Sequence, residues 1–191
     1  MTTIITHAAL GLAMAAVAAR KPASARLWAA CALLPVIPDL DTPIGEFLHP
    51  KDLLWAAIEE GPWGHRGASH SIVFAAGFAA LTLLVLPRPE RTGRHWLLLF
   101  VAMASHGAFD ALTNGGSGIA FLWPFSMARC HAPWRPIEVA PLSVSGFFTE
   151  RGWEVFRSEL LWVWAPGGAL GAAWGLLSRS RQAPRKPAPP G

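Results

Sequence analysis

Seven side chains of metal-ligating type stand out against an apolar background: His7, Asp39, Asp41, His65, His70, His106 and Asp110. His106 and Asp110 are four residues apart, so on a helix they share one face a turn apart and can hold one ion or pair with each other. Asp39 and Asp41 bracket Leu40 after Pro38, in what reads as an extended or turn segment that aims one or both carboxylates into a common pocket. His65 and His70 stand five apart across Gly67, which suits a loop feeding a helix begun near Ser69, with Ser69 as its cap. Imidazole mixed with carboxylate is the ligand chemistry of zinc, or of manganese and iron, rather than calcium. Several such groups leave room for one or two ions, with Asp110 able to bridge a pair, and a two-ion centre activates water and clamps both oxygens of a displaced ester. Arg66, beside His65, offers a fork for a phosphate or carboxylate. The expected catalytic side chains are therefore Asp41 and His65, as acceptors of the proton of water, and Arg66, as a clamp on the oxyanion.

Each of these residues also has a plainer explanation. His7 can be an interfacial histidine, Asp39 and Asp41 can simply end a helix, His106 and Asp110 can form an internal proton relay, and Arg66 can snorkel to headgroups. That all are idle together is the weaker alternative, because ionisable groups in apolar segments are costly. His49, His95 and His131 read as loop residues. The two cysteines, Cys31 and Cys130, are too few for a disulfide scaffold or a Cys-based zinc module and read as packing residues.

The elements that must carry these groups are helices in a membrane. Of 191 residues, 52% are hydrophobic and only 15% charged, against about 25% charged in a typical soluble domain. Five apolar stretches, residues 4–19, 27–38, 70–86, 95–113 and 160–178, approach the ~20 residues that cross a bilayer. The second is short, and Pro35 and Pro38 break its pattern. Ten of the sixteen Lys and Arg fall in three short clusters, residues 20–26, 88–94 and 179–186. Short basic loops stay in the cytoplasm, so the expected fold is an all-α polytopic membrane protein with five crossings, N-terminus outside and C-terminus inside. The same clustering argues against nucleic acid as a partner. The N-terminus lacks the basic start of a secretory signal and reads as a retained helix. Residues 1–178 read as one membrane-embedded domain and 179–191 as a disordered basic tail. With this topology the starts of the first and third stretches and the ends of the second and fourth lie on the outer side, so the ligand-type residues converge at one level.

The pattern Thr6-His7 with Gly11, Pro38-Asp39-Leu40-Asp41, His65-Arg66-Gly67-x-x-His70-Ser71 and Ser105-His106-x-x-x-Asp110 resembles the YdjM-like, LexA-regulated, membrane-bound metal-dependent hydrolases of bacteria, over about residues 1–115. The resemblance implies a hydrolase of the bacterial inner membrane with a divalent ion and no defined substrate. Its motif positions are His7, Asp39, Asp41, His65, His70, His106 and Asp110. More distantly, the order of ligands is similar to the zinc-dependent phospholipase C and P1 nuclease group, but a second downstream His-x-x-x-Glu element is missing, so one or two ions are expected rather than three. The expected activity is hydrolysis of a phosphoester or lipid-linked substrate by metal-activated water, with the lipid bilayer as surroundings. The rivals are a non-enzymatic metal-binding or transport protein and a structural partner of a larger envelope complex.

Overall fold

Hydroxyl caps decide where three of the helices begin. The structure, a computed structural model, describes residues 2–18, 23–40, 61–141 and 145–182. After α1 (Ile4–Ala18), the side chains of Ser24, Ser71 and Thr92 accept the backbone N–H three residues on, at 3.2, 3.1 and 3.3 Å. They start α2 (Ala25–Leu33), α3 (Ile72–Leu83) and α4 (Gly93–Ala111). A fifth helix, α5 (Glu150–Glu159), passes through a π segment, Leu160–Trp164, into α6 (Ala165–Gln182). Among the described residues there is no strand, only two isolated bridges, Thr113 with Ile137 and Ile119 with Cys130.

Two local expectations are corrected. Ser69 is not a cap: it lies inside a 3-10 turn, Ala68–His70, with its hydroxyl 2.9 Å from His70 Nδ1. Ser71 has the extended backbone a cap requires, ψ 155°, and takes that place. The segment around Pro38 is not extended but a 3-10 helix, Leu34–Leu40, that continues α2; Pro35 and Pro38 lack the N–H that a longer α-helix would use. At the C-terminal end α6 runs on to Gln182.

Helices α1 to α4 pack through small side chains. Ala15, Ala30, Cys31, Ala75 and Ala79 are buried with Leu27, Leu34, Leu99 and Met103. Small residues let helix backbones approach where the surroundings are as apolar as the core. The end of the bundle away from the ligand-type residues is stitched by polar contacts. Ser24 donates its N–H and hydroxyl to Glu90 at 2.7 and 2.6 Å, Arg26 reaches Val85 O at 3.2 Å, and Arg94 donates to Ala18 O.

Desolvation pushes the Glu90 carboxyl up, but its bonds to Ser24, with His95 nearby, outweigh that and hold it below the usual carboxylate value. A carboxyl depressed in the folded state stabilises fully above its unfolded pKa, and that stability is lost as pH falls through the folded value. Thermal melting in detergent should therefore show a small loss of stability at acid pH that is absent in Glu90→Gln. An identical acid slope in the variant would remove Glu90 as its source.

The outer surface is unusually apolar. Leu81, Leu84, Val85, Leu97, Leu161, Leu170 and Leu176 are each more than half exposed, and from Ala165 to Leu177 every residue of α6 is exposed. Such a continuous apolar surface fits lipid rather than water. One helical run, Glu150–Leu177 with 28 residues and a mean hydropathy of 1.4 in its most apolar window, is long and apolar enough to cross a membrane. The others fall short of the five full crossings expected. α1, α2 and α3 have 15, 9 and 12 residues, or about 22, 14 and 18 Å at 1.5 Å per residue. The 19 residues of α4 carry Arg94, His95, His106 and Asp110 along their length.

Candidate metal centre

Four separate elements deliver side chains to one cup. α1 brings His7, the 3-10 helix after α2 brings Asp39, the loop and turn before α3 bring His65, Arg66 and His70, and the last turns of α4 bring His106 and Asp110. His7, His106 and Asp110 are 0% exposed, Asp39 2% and His70 5%, while His65 is only partly buried. Two groups have ligand atoms within 4.8 Å of one another: Asp39, His65, His70 and Asp110, and His7, His106 and Asp110. Asp110 belongs to both. Asp41 lies outside the described residues, as does His49.

The contacts inside the cup are those of groups facing a common centre. His106 Nε2 is 3.3 Å from Asp39 Oδ1 and 4.0 Å from Asp110 Oδ2, and His70 Nε2 is 3.9 Å from each of the same oxygens. The rings of His7 and His106 stack with centroids 3.8 Å apart. His106 Nδ1 is 2.6 Å from the carbonyl of Pro35, which only accepts, so Nδ1 carries a proton and Nε2 is the atom turned into the cup. A second partner that fixes the tautomer in this way is the usual companion of a metal-bound histidine. His70 Nε2 lies 3.0 Å from His106 Nε2, a distance at which a proton or a cation must stand between two nitrogens.

Charge points the same way. Asp39 and Asp110 bring two carboxylates against the single guanidinium of Arg66 in a dry interior. Both Asp39 oxygens are buried and accept no hydrogen bond among the described residues. Burying a carboxylate without compensation is costly, and a divalent cation would balance it. By donor type, number and orientation the residues present fit such an ion. Asp39, His70 and Asp110 would hold one, with His65 at the rim either as a fourth ligand or as a group that faces bound water; His7, His106 and Asp110 would hold a second.

Arg66 adopts φ +65°, a left-handed backbone that costs on the order of 1–3 kcal/mol in a non-glycine residue and so must be held by its surroundings. Its guanidinium donates to Gly115 O at 2.7 Å and Thr113 Oγ1 at 2.9 Å and lies 3.3 Å from Asp110 Oδ2. Its visible role is to aim and charge Asp110. Gly116, at φ +87°, leaves the room: a Cβ there would stand 2.3 Å from Arg66 Nη1.

Two positioning features are absent from the sequence pattern. Thr2 donates its N–H to Asp110 Oδ1 at 2.8 Å, and its hydroxyl is 2.5 Å from His7 Nε2. Glu159 is buried at the start of the apolar run and accepts from Thr3 N, Thr3 Oγ1 and Thr6 Oγ1, at 2.5, 2.8 and 2.7 Å. Nothing in the spacing signals Thr2, but a lone carboxylate beside an apolar run was a legible sign for Glu159. The segment 113–141, without regular structure, roofs the cup. Ala120 N binds Arg66 O at 3.0 Å, Ile72 N binds Phe121 O at 3.0 Å, and Arg129 Nη1 binds His65 O at 3.0 Å.

Most of the chain, not only the helices of the cup, matches known proteins. A family profile described as YdjM inner membrane protein matches residues 1–181. The chain belongs to the YdjM family. The Inner membrane protein YbcI of Escherichia coli (strain K12) is 39% identical over 177 residues, 91% of this chain and 98% of that protein. No solved structure matches. The YdjM relationship thus extends well beyond residues 1–115, where the motifs end, and takes in the roof and α6. Neither match bears on the likeness to the phospholipase C and P1 nuclease group. Inner membrane location agrees with the apolar surface of this YdjM chain.

Proposed function

We propose that this YdjM-family chain is a multi-pass inner-membrane hydrolase that uses one or two divalent ions, zinc being the best suited, on a phosphoester or lipid-linked substrate. The observation that carries the proposal is the meeting of six ligand-type side chains, from segments up to about a hundred residues apart, in two groups that share Asp110. A bound divalent ion would supply Lewis acidity and lower the pKa of water. The chain's own residues do the rest. His65, the most exposed member of the cup, accepts the proton of the attacking water, with Asp41 as the second candidate. Arg66 holds Asp110 ionised and in place. The roof over residues 113–141 excludes bulk water, which strengthens every charge interaction beneath it.

For the topology, five passages with the N-terminus outside are supported by the basic clusters, because Arg26, Arg88, Arg91 and Arg94 gather at the end opposite the cup. α2 and α3 would then be embedded without spanning the full hydrocarbon alone, with their broken ends buried in protein. An ion path is less well supported. Ionisable groups would have to continue through the bundle, whereas Ala15, Leu27, Cys31, Leu99 and Met103 fill the interior beyond the cup.

The test is a panel of phosphomonoesters, phosphodiesters and glycerophospholipids offered to purified protein, with elemental analysis of the same samples. Hydrolysis should fall about 10²–10⁴-fold in His65→Asn, the span of a lost general base, while metal is retained. Absence of turnover on every substrate together with ion uptake into proteoliposomes would replace the enzyme with a carrier.

A further inference from the structure

We propose that the cleft between α1 and α6 is a binding site for one acyl chain of a bilayer glycerolipid, whose polar end lies level with the His/Asp cup. The cleft encloses about 360 Å³, inside the range of about 300–1,000 Å³ typical of small-molecule pockets. One wall is Thr6, Ala9, Leu10 and Ala13 of α1; the other is Val163, Trp164, Gly167, Gly168 and Gly171. Along α1 it runs from Thr6 to Ala13, about 10 Å of helix.

Three observations select a lipid chain as the occupant. The second wall belongs to the helical run that is long and apolar enough to cross the membrane, and that wall merges into the fully exposed surface of Ala165–Leu177, so the cleft opens onto the medium of an inner membrane protein. The lining is apolar along its length and polar at one end only. There Trp164 Nε1 donates to Thr6 Oγ1 at 2.8 Å, and Thr6 Oγ1 donates to Glu159 Oε2 at 2.7 Å. That polar end adjoins His7, one residue from Thr6, and the cleft leads away from the cup, the direction a tail takes from a headgroup at the outer membrane surface. The missing side chains make the space: a Cβ at Gly167, Gly168 or Gly171 would meet nothing within 4 Å.

The use of this lipid as substrate rests on the hydrolase reading of the cup, whereas its binding does not. The test uses full-length protein in nanodiscs of phosphatidylethanolamine and phosphatidylglycerol, doped with a phosphatidylethanolamine carrying a diazirine in one acyl chain. Lipid retained through detergent purification and metal content are measured on the same preparations. Gly168→Leu with Gly171→Leu places two side chains in the cleft, each with its Cβ in open space, and raises helix propensity, so the fold is expected to survive. Gly175→Leu, also in open space but outside the cleft, is the control. In the wild type, adducts should concentrate on residues 6–13 and 163–171 above the level on Leu81 and Leu84. In the Leu pair these adducts and the retained lipid should fall several-fold with metal unchanged, and Gly175→Leu should resemble wild type. Undiminished adducts and retained lipid in the Leu pair would overturn the proposal. So would a wild-type dimer that Gly175→Leu dissolves, because Gly167, Gly171 and Gly175 also form one helix face and that result would give the stripe to a second copy. Retained lipid in a wild type that holds no metal would leave the cleft standing and remove the hydrolase.

Discussion

Asp110→Asn will strip purified protein of its divalent metal, whereas His7→Ala will remove only part of it. Asp110 is the one residue common to both ligand groups, with His7 Nε2 3.5 Å from Oδ1 on one side and His70 and His106 approaching Oδ2 at 3.9 and 4.0 Å on the other. Removing its charge weakens both groups together; removing His7 touches only the second. With two ions per wild-type chain, elemental analysis should read one in His7→Ala and none in Asp110→Asn. The same substitution leaves Arg66 buried at 1% exposure without its carboxylate, and breaking a buried pair costs on the order of 3–5 kcal/mol. Melting experiments separate the two consequences. Chelation should lower the melting temperature of wild type, since a ligand that binds only the folded state stabilises it, and should leave Asp110→Asn unchanged. Full metal occupancy in Asp110→Asn would remove the shared-ligand arrangement and with it the catalytic proposal.

The cup was legible because expensive residues were few. Among apolar runs, each His or Asp near a predicted helix end needs a partner, and one topological rule brought His7, Asp39, His65, His70, His106 and Asp110 to one level without any contact being known. The helix ends were less legible. Ser69 and Ser71 both have the chemistry of a cap, and only the backbone conformation, a 3-10 turn through His70, decides between them. Arg66 reads as a substrate fork in sequence because its type is that of an anion binder; two of its three nitrogens, Nη1 and Nη2, bind Gly115 and Thr113, residues nearly fifty positions away. Thr2 and Glu159 act through long-range contacts that leave no local period. Hydropathy overstates helix length here, since the apolar stretches include breaks at Pro35 and before Ile72 that shorten the helices themselves.

Gly11→Ala should be the most damaging single-methyl change in the bundle. A Cβ at Gly11 would stand 1.8 Å from the carbonyl oxygen of Cys31 and 3.0 Å from the ring of Pro35, so α1 and α2 touch backbone to backbone at this point. Ala is the better helix former by about 1 kcal/mol, and in isolation the change would favour α1. The clash outweighs that gain because the neighbour is backbone with no rotamer to give, and α1 must move away from α2 and from the 3-10 helix that follows it. That displacement acts directly on the cup. Pro35 supplies the carbonyl that fixes His106, Asp39 lies four residues further on, and His7 lies one helical turn before Gly11. The expected result is a loss above the 1–3 kcal/mol usual for overpacking, together with loss of metal, while Gly77→Ala, where a Cβ meets nothing within 4 Å, keeps both. Detergent-solubilised yield, melting temperature and elemental analysis measure it. A Gly11→Ala protein that melts with wild type and holds its metal would mean that α1 and α2 are further apart than the backbone contact requires, and His7 would then no longer reach His106.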